Sequence, residues 1–142
     1  MLFEETFTCL VWSSSALARR GLDRDSYAGA GHVAMQPAGS DRPGFLADCG
    51  VQRRVEVTTW SFLAEPALVV GSERVATVPS RLAQRACAQL PLTTFAPPLD
   101  IPPMEQAMQW HKYRSSDPGL QWLLGLLRAA AREMDATAGT RP

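Results

Sequence analysis

The sequence RVEVTTWSFLAEPALVVGSERVATVPSRLAQRACAQL, residues 54–90, alternates strand patterns with helix patterns. In residues 54–59, polar and apolar side chains alternate with a period of two, which predicts a strand. Residues 60–70 are mostly apolar with helical spacing, but they include Pro66. Because a proline inside a helix costs about 3 kcal/mol, we expect this helix to begin late or to kink at Pro66.

A second strand and a second helix follow in the same stretch. Residues 75–78 are a further apolar strand pattern, and residues 79–80, Pro-Ser, are placed to cap the next helix. The apolar residues of that helix, spaced by four, are Leu82, Ala86 and Leu90.

The N-terminal half continues this alternation. Residues 7–12 are apolar and rich in β-branched and aromatic types, which predicts a buried strand. Residues 22–27 predict a short helix with Asp23 as its N-cap, residues 32–35 a short strand, and residues 45–50 a brief helix that ends at a glycine. Strands that alternate with helices in this way predict an α/β domain with a largely parallel sheet.

The C-terminal part begins with an extended segment, because residues 94–103 contain four prolines. Residues 108–113 alternate apolar and polar side chains and predict a strand. Asp117 as N-cap and Pro118 as first residue then begin a long helix. Residues 136–142 are small and polar, and we expect a disordered tail. The apolar face of the helix consists of Leu120, Leu123, Leu124, Leu127, Ala131 and Met134.

Charge and composition exclude several classes of function. The 142 residues include 14 basic and 14 acidic side chains, so no basic excess favours nucleic acid. The three cysteines, odd in number, have neither metal-site spacing nor a CxxC pair, which fits a reducing compartment. The N-terminal apolar run, residues 7–12, is too short for a signal or membrane segment. A cytoplasmic protein without membrane contact is predicted.

Catalytic motifs are absent from the sequence. Only His32 and His111 could act as bases near neutral pH, and a structural role is favoured for both. The carboxylates Asp41, Asp48 and Glu56 have no spacing that would pair them on one face. We therefore predict no enzyme, no catalytic residue, no metal and no cofactor. A small enzyme with a cysteine nucleophile remains as a minor alternative, which rapid alkylation of one thiol would favour.

A ligand site is predicted where strands end. In α/β sheets, ligands bind beyond the carboxyl ends of the strands. The residues that we assign to such ends, as candidates for binding a small, flat, partly polar molecule, are Met35, Gln36, Thr59, Trp60, Phe62, Gly71 and Ser72. The alternative is structural: Thr59 caps a helix, and Trp60 and Phe62 belong to the core.

Four segments resemble the effector-binding domain of LysR-type transcriptional regulators, in the nodulation-regulator and salicylate-responsive branch. These are LFEETFTCLVW (2–12), LDRDSYAGAGHVAM (22–35), VATVPSRLAQ (75–84) and MQWHKYRSSDPGLQWLLGLL (108–127), of which the last is the most specific. The resemblance implies a periplasmic-binding-protein-like (type II) regulatory domain that is incomplete. It contains mostly the second subdomain, with the closing strand and helix of the first.

The resemblance also implies a division of the chain. Residues 1–98 would form the second regulatory subdomain, which binds the effector, and residues 99–135 would return to the first. The helix-turn-helix domain and the first half of subdomain one are absent from these residues, so the chain itself would not contact DNA. Within the family pattern, His111 would be a packing residue. The family's usual His-Pro is replaced in WSSSALARR (12–20), and Pro66 interrupts a helix that is usually continuous.

The predicted function is to sense a small aromatic or carboxylated inducer, as part of a homo-oligomeric regulator. An inducer would act by shifting the population between two assemblies. The alternative is an interaction module without its own ligand, which would pair with itself or with an intact regulator through exposed sheet edges.

Overall fold

The computed structural model describes residues 1–36 and 49–138, with side chains up to Asp135. The strands within these ranges are β1 (Phe3–Glu5), β2 (Phe7–Trp12), β3 (Gly31–Met35), β4 (Arg54–Thr59), β5 (Arg74–Pro79), β6 (Leu92–Phe95) and β7 (Met104–Gln106). The helices are α1 (Ala16–Arg20), α2 (Arg24–Gly29), α3 (Glu65–Val69), α4 (Ser80–Cys87) and α5 (Pro118–Ala138).

The chain forms two compact units. The sheet unit is Thr6–Pro102, and the terminal unit combines Met1–Glu5 with the residues from Pro103 onward. In the terminal unit, β1 pairs antiparallel with β7, so that Phe3 lies opposite Gln106. The assignment of residues 1–98 and 99–135 to two regulatory subdomains stays a prediction.

The sheet unit contains a five-stranded sheet in the order β4-β3-β5-β2-β6. Strand β3 is parallel to both β4 and β5, whereas β2 is antiparallel to both β5 and β6. Four of the five strands therefore point the same way, and the largely parallel sheet predicted from the sequence is confirmed.

Helices cover both faces of this sheet, which explains the continuous apolar run of β2. Leu10 packs with Val33 and Val78 in the core beneath α3 and α4. Its neighbours Cys9 and Val11 belong to the opposite core, under α1 and α2. Alternate residues of one strand thus serve two hydrophobic cores.

Three helix starts agree with the sequence prediction. The amide of Ser26 donates to Asp23 Oδ1 at 2.8 Å, completing a capping box at α2. Helix α3 begins late, at Glu65, with Pro66 in its first turn. At α5 the amide of Leu120 donates to Asp117 Oδ1 at 2.9 Å. The predicted Pro-Ser cap of α4 is wrong, because no side chain accepts a hydrogen bond at its N-cap position, Pro79.

The strand predicted over residues 108–113 is also wrong. The strand that pairs with β1 lies earlier, at β7, and a 3₁₀ turn, Lys112–Arg114, occupies the end of the predicted range. Local hydrogen bonds compete with strand pairing here. The amide of Tyr113 donates to His111 Nδ1 at 3.4 Å, and Trp110 Nε1 donates to Ser115 Oγ at 3.2 Å.

Helix α1 was not predicted. It is short, and its start depends partly on a distant residue, because the amide of Ala16 donates to Glu73 Oε2 at 2.9 Å. The predicted helix at residues 45–50 lies almost wholly outside the described residues. Of the predicted tail, the first three residues continue α5 to Ala138, and residues 139–142 lie outside the described ranges.

The apolar face predicted for α5 is only partly buried within the structure. Leu124 and Ala131 are buried, whereas Leu123, Leu127 and Met134 are exposed. No helix in the described ranges combines the length and apolarity that crossing a membrane requires.

Candidate functional site

The carboxyl edge of the sheet is where the four parallel strands end and the antiparallel β2 begins. Met35 of β3 lies beside Thr59 of β4, and Phe7 of β2 lies opposite Pro79 of β5. We call this row of residues the carboxyl edge; it consists of Thr59, Met35, Pro79, Phe7 and Phe95. Ligands of α/β sheets bind beyond such an edge.

Three hydroxyl groups meet at the centre of the carboxyl edge. Thr6 Oγ1 donates to Ser80 Oγ at 2.9 Å, and Thr8 Oγ1 lies 2.7 Å from the same oxygen. The amide of Ser80 donates to the carbonyl of Thr6 at 2.8 Å, which fixes the start of α4 against β2. This group of Thr6, Thr8 and Ser80, the hydroxyl cluster, was missed from the sequence.

The start of α4 adds donors to the hydroxyl cluster. The helix has eight residues, no side chain caps its first turn, and that turn contains no acidic residue. Arg81 lies in the same turn and carries a positive charge. The Ser80 amide already donates to Thr6, but the helix dipole and the remaining first-turn positions favour a negative group here. The local environment therefore suits a small anion.

Four of the predicted site residues lie together at one end of the carboxyl edge. The amide of Gln36 donates to the carbonyl of Thr59 at 2.8 Å, beside Met35. Trp60, which follows Thr59 in the chain, is 78% exposed. Its indole is therefore not part of the core and can contact a ligand. Phe62, by contrast, packs against the hydrophobic core beneath α3, as the structural alternative expected.

Gly71 and Ser72 lie at the opposite edge of the sheet. They follow α3 and precede β5, whose first residue, Arg74, pairs with Gly31 at the start of β3. Their predicted place at the carboxyl end of a strand is wrong, because they follow a helix. Gly71 has a φ of 76°, and Ser72 Oγ donates to the carbonyl of Val69 at 2.7 Å, so both shape the turn after α3.

A buried carboxyl group lies behind the carboxyl edge. Glu65 begins α3, is 1% exposed, and packs near the backbone of Met35. Burial raises the pKa of Glu65 to about 8, while the Met35 amide and the charge of Arg53 act in the opposite sense. Within the described residues, neither carboxyl oxygen has a hydrogen-bond partner of good geometry. Burial therefore favours the protonated carboxyl of Glu65 at neutral pH.

A polar network occupies the other face of the sheet. The Tyr27 hydroxyl lies 2.8 Å from Thr77 Oγ1, and Cys9 Sγ lies 3.6 Å from the same oxygen. His32 Nε2 lies 2.7 Å from the carbonyl of Tyr27 and donates to it. Burial lowers the pKa of His32, so its ring is neutral and held in place.

Two of the three thiols and the second histidine lie in settings that do not favour catalysis. Burial raises the pKa of Cys9 to about 11 and also raises the pKa of Cys87, which disfavours the reactive thiolate. His111 is exposed and caps the 3₁₀ turn through Nδ1. Across the described parts of the chain, no three His, Cys, Asp or Glu side chains are grouped to hold a metal ion.

Comparison with known proteins gives sequence relatives over nearly the whole chain. No protein-family model matches it. Nodulation protein D 2 of Rhizobium tropici is 34% identical over 137 residues, which are 94% of this chain and 44% of that protein. The chain thus spans less than half the length of the curated relatives that it matches.

Solved structures of transcriptional regulators share the fold. The regulatory domain of MexT, a transcriptional activator in Pseudomonas aeruginosa, has a TM-score of 0.73 and 26% identity, over 90% of this chain and 64% of that chain. A putative transcriptional regulator from Vibrio parahaemolyticus has a TM-score of 0.79 and 23% identity, over 95% and 65%. The BenM effector-binding domain with its effector benzoate has a TM-score of 0.55 and 16% identity, over 99% and 64%.

Proposed function

We propose that this chain senses a small inducer, on the premise that it belongs with the LysR-type transcriptional regulators. It is a homologue of the nodulation D proteins and has the fold of LysR effector-binding domains. The inducer binds at the carboxyl edge of the sheet. It is an aromatic molecule with a carboxylate or a similar anionic group.

The start of α4 is the observation that carries this proposal. The hydroxyl groups of Thr8 and Ser80 lie together at the start of the helix, whose dipole favours a negative group there. A carboxylate that accepts two or three hydrogen bonds is held in a fixed orientation. No acidic side chain of that turn opposes it.

The aromatic part of the inducer is directed along the carboxyl edge toward β4. Two strand spacings, about 10 Å, separate the start of α4 from Trp60. The exposed indole of Trp60 and the half-buried side chain of Met35 offer apolar surface over this distance. An aromatic acid of one or two rings spans it.

The sheet unit corresponds, in this proposal, to the second regulatory subdomain, and the terminal unit returns to the first. The relatives are more than twice as long as this chain, and we expect their additional residues to supply the opposite wall of the cleft. A pocket with one wall buries little of its ligand, so the affinity of these residues alone is weak.

DNA binding and catalysis are not assigned to these residues. The raised pKa values of Cys9 and Cys87 argue against a nucleophilic enzyme. As part of a transcriptional regulator, the chain would act in the cytoplasm, and the inducer would be its small-molecule partner.

Calorimetric titration with benzoate tests the site. Benzoate is the effector of BenM and a member of the proposed ligand class, and benzamide is its uncharged counterpart. We expect benzoate to bind more tightly than benzamide. Because a hydrogen bond to a charged group contributes about 1.5–3 kcal/mol, Thr8→Val combined with Ser80→Ala should lower benzoate affinity at least about tenfold.

A matched control is available at the other edge of the sheet. Thr93 Oγ1 donates to Ser13 Oγ at 3.1 Å, a hydroxyl pair similar to that of the hydroxyl cluster. Thr93→Val should leave benzoate affinity unchanged. Equal losses in both variants, or equal binding of benzoate and benzamide by the unmodified chain, would refute the carboxylate site.

Self-association is a second candidate function, favoured by the edge strand β4. This strand ends the order of the five-stranded sheet, and its Val55 is 46% exposed. The apolar side chains Leu63 and Leu68 of the same unit are also exposed. Light scattering should show a defined oligomer that Val55→Lys dissociates, since a charge on an edge strand disfavours pairing. A monomer at high concentration would exclude this candidate.

A further inference from the structure

The buried carboxyl group of Glu65 has no evident structural function. It begins a helix of only five residues, directly before Pro66, and is 1% exposed. Neither oxygen has a good hydrogen-bond partner in the described part of the chain. Burying a polar group without partners is unfavourable, and an apolar side chain at this position would avoid the cost. The position of Glu65 behind the carboxyl edge offers a reason for it.

Among the described residues, no charged side chain forms an ion pair with the Glu65 carboxyl. Helix α3 packs on β3, β5 and β2, whose titratable residues are His32, Arg74 and Cys9. His32 and Cys9 lie on the opposite face of the sheet, and Arg74 Nε pairs with Glu56 at 2.9 Å. Arg53 affects Glu65 only through its charge.

Ionisation of Glu65 would place a negative charge beside the proposed anion site. The carboxyl group packs near Met35, and β3 and β5 are neighbours, so the start of α4 is one strand spacing away from Met35. Over roughly 10 Å at an effective dielectric constant of about 20, two negative charges repel enough to weaken binding roughly tenfold. A protonated Glu65 exerts no such repulsion.

We propose that Glu65 determines the charge specificity of the carboxyl edge, which accepts an anionic inducer while this carboxyl is protonated and rejects it once the carboxyl is ionised. This inference rests on the proposed function, because it requires an anion at the start of α4. The raised pKa of Glu65, about 8, places the change in the mildly alkaline range. Uncharged ligands of the same shape are unaffected.

Two measurements on the 142-residue chain test this inference. The first, which needs no ligand, is an NMR titration of the Ser80 and Arg81 backbone amides between about pH 6 and pH 9.5. These amides should show a step near pH 8 that is absent in Glu65→Gln. Glu73→Gln is the matched control, since Glu73 is a glutamate of the same unit at the opposite edge.

The second measurement is benzoate affinity at about pH 6.5 and pH 9, with benzamide as the uncharged probe. Benzoate affinity of the unmodified chain and of Glu73→Gln should fall roughly tenfold at the higher pH, whereas Glu65→Gln should retain it. Benzamide affinity should not change in any of the three proteins.

The outcomes separate this inference from the proposed function. If benzoate binds but loses affinity equally in Glu65→Gln, or if the amides of Ser80 and Arg81 show no step near pH 8, the role of Glu65 is refuted while the site remains. If benzoate fails to bind at both pH values although the step is present, the carboxylate site is refuted. The specificity role of Glu65 is then refuted with it.

Discussion

Replacing Glu65 by glutamine should stabilise the chain, by an amount that grows with pH. Glutamine has nearly the same shape but never ionises. The pKa of Glu65 is raised from 4.5 to about 8 in the folded chain, so between these values the folded state binds more protons than the unfolded state. The stability that Glu65 contributes to the folded chain is complete below pH 4.5 and is lost as pH rises toward 8.

The size of the effect follows from how steeply the free energy of unfolding changes with pH. Within the window, each pH unit changes the free energy of unfolding by about 1.4 kcal/mol for one proton. From pH 5 to pH 7, both inside the window, the difference between Glu65→Gln and the unmodified chain should therefore grow by about 3 kcal/mol. The Glu65 side chain is 1% exposed, so solvent screens its charge little.

Urea denaturation followed by circular dichroism at pH 5, 6 and 7 measures this difference. Glu73→Gln again serves as the control for replacing a glutamate of the same unit by glutamine. If the free energies of unfolding of Glu65→Gln and the unmodified chain differ by the same amount at all three pH values, Glu65 is not buried uncharged, and the reasoning fails.

Three further predictions concern the scaffold of the sheet unit. Ser15→Ala removes the side-chain acceptor of the Ala18 amide at the start of α1 and should lower the free energy of unfolding by about 1 kcal/mol in urea denaturation. Gly31→Ala would overlap the Glu56 carboxyl, which must then leave its arginine partners, and should destabilise by about 1 kcal/mol; an unchanged melting temperature would contradict the contact. Val55→Lys should leave the far-ultraviolet dichroism intact while removing any oligomer, as ultracentrifugation would show.

Local patterns were sufficient to predict most elements of the sheet unit. The period-two alternation of residues 54–59, the Pro66 signal and the Asp23 cap are each encoded within one turn or strand, and the structure agrees with all three. Predictions failed where the decisive partner is distant or where local bonds compete. Helix α1 depends on Glu73, and the strand predicted over residues 108–113 is replaced by the turn that His111 caps.

The candidate site was harder to predict from local sequence than the fold, because it depends on residues that are distant in the chain. Thr8 and Ser80 are 72 positions apart, and they meet only because β2 runs antiparallel to β5 in one particular register. Nothing in the local sequence fixes that register. Gly71 was placed at the wrong edge although a helix was predicted before it, because the direction in which α3 returns the chain to the start of β5 was not taken into account. The burial of Glu65 likewise depends on the packing of α3 against β3, which no local pattern encodes.

Two titratable groups flank strand β3: His32 of the strand itself on one face, and Glu65 of helix α3 on the other. The two act on stability in opposite directions. The pKa of His32 is lowered from 6.5, so its contribution is present above pH 6.5 and is lost as pH falls toward the lowered value. The contribution of Glu65 is lost as pH rises from 4.5 toward about 8. Where both groups titrate, below pH 6.5, the two slopes oppose each other; between pH 6.5 and 8 that of Glu65 acts alone.

Stability of the unmodified chain should therefore fall less steeply just below pH 6.5 than above it. Single variants should separate the pH dependence that each group contributes. In His32→Gln, stability should fall continuously as pH rises from about 4.5. In Glu65→Gln, stability should rise with pH up to about 6.5. If His32→Gln instead leaves the acid side of the profile unchanged, the neutral, buried state of His32 is wrong.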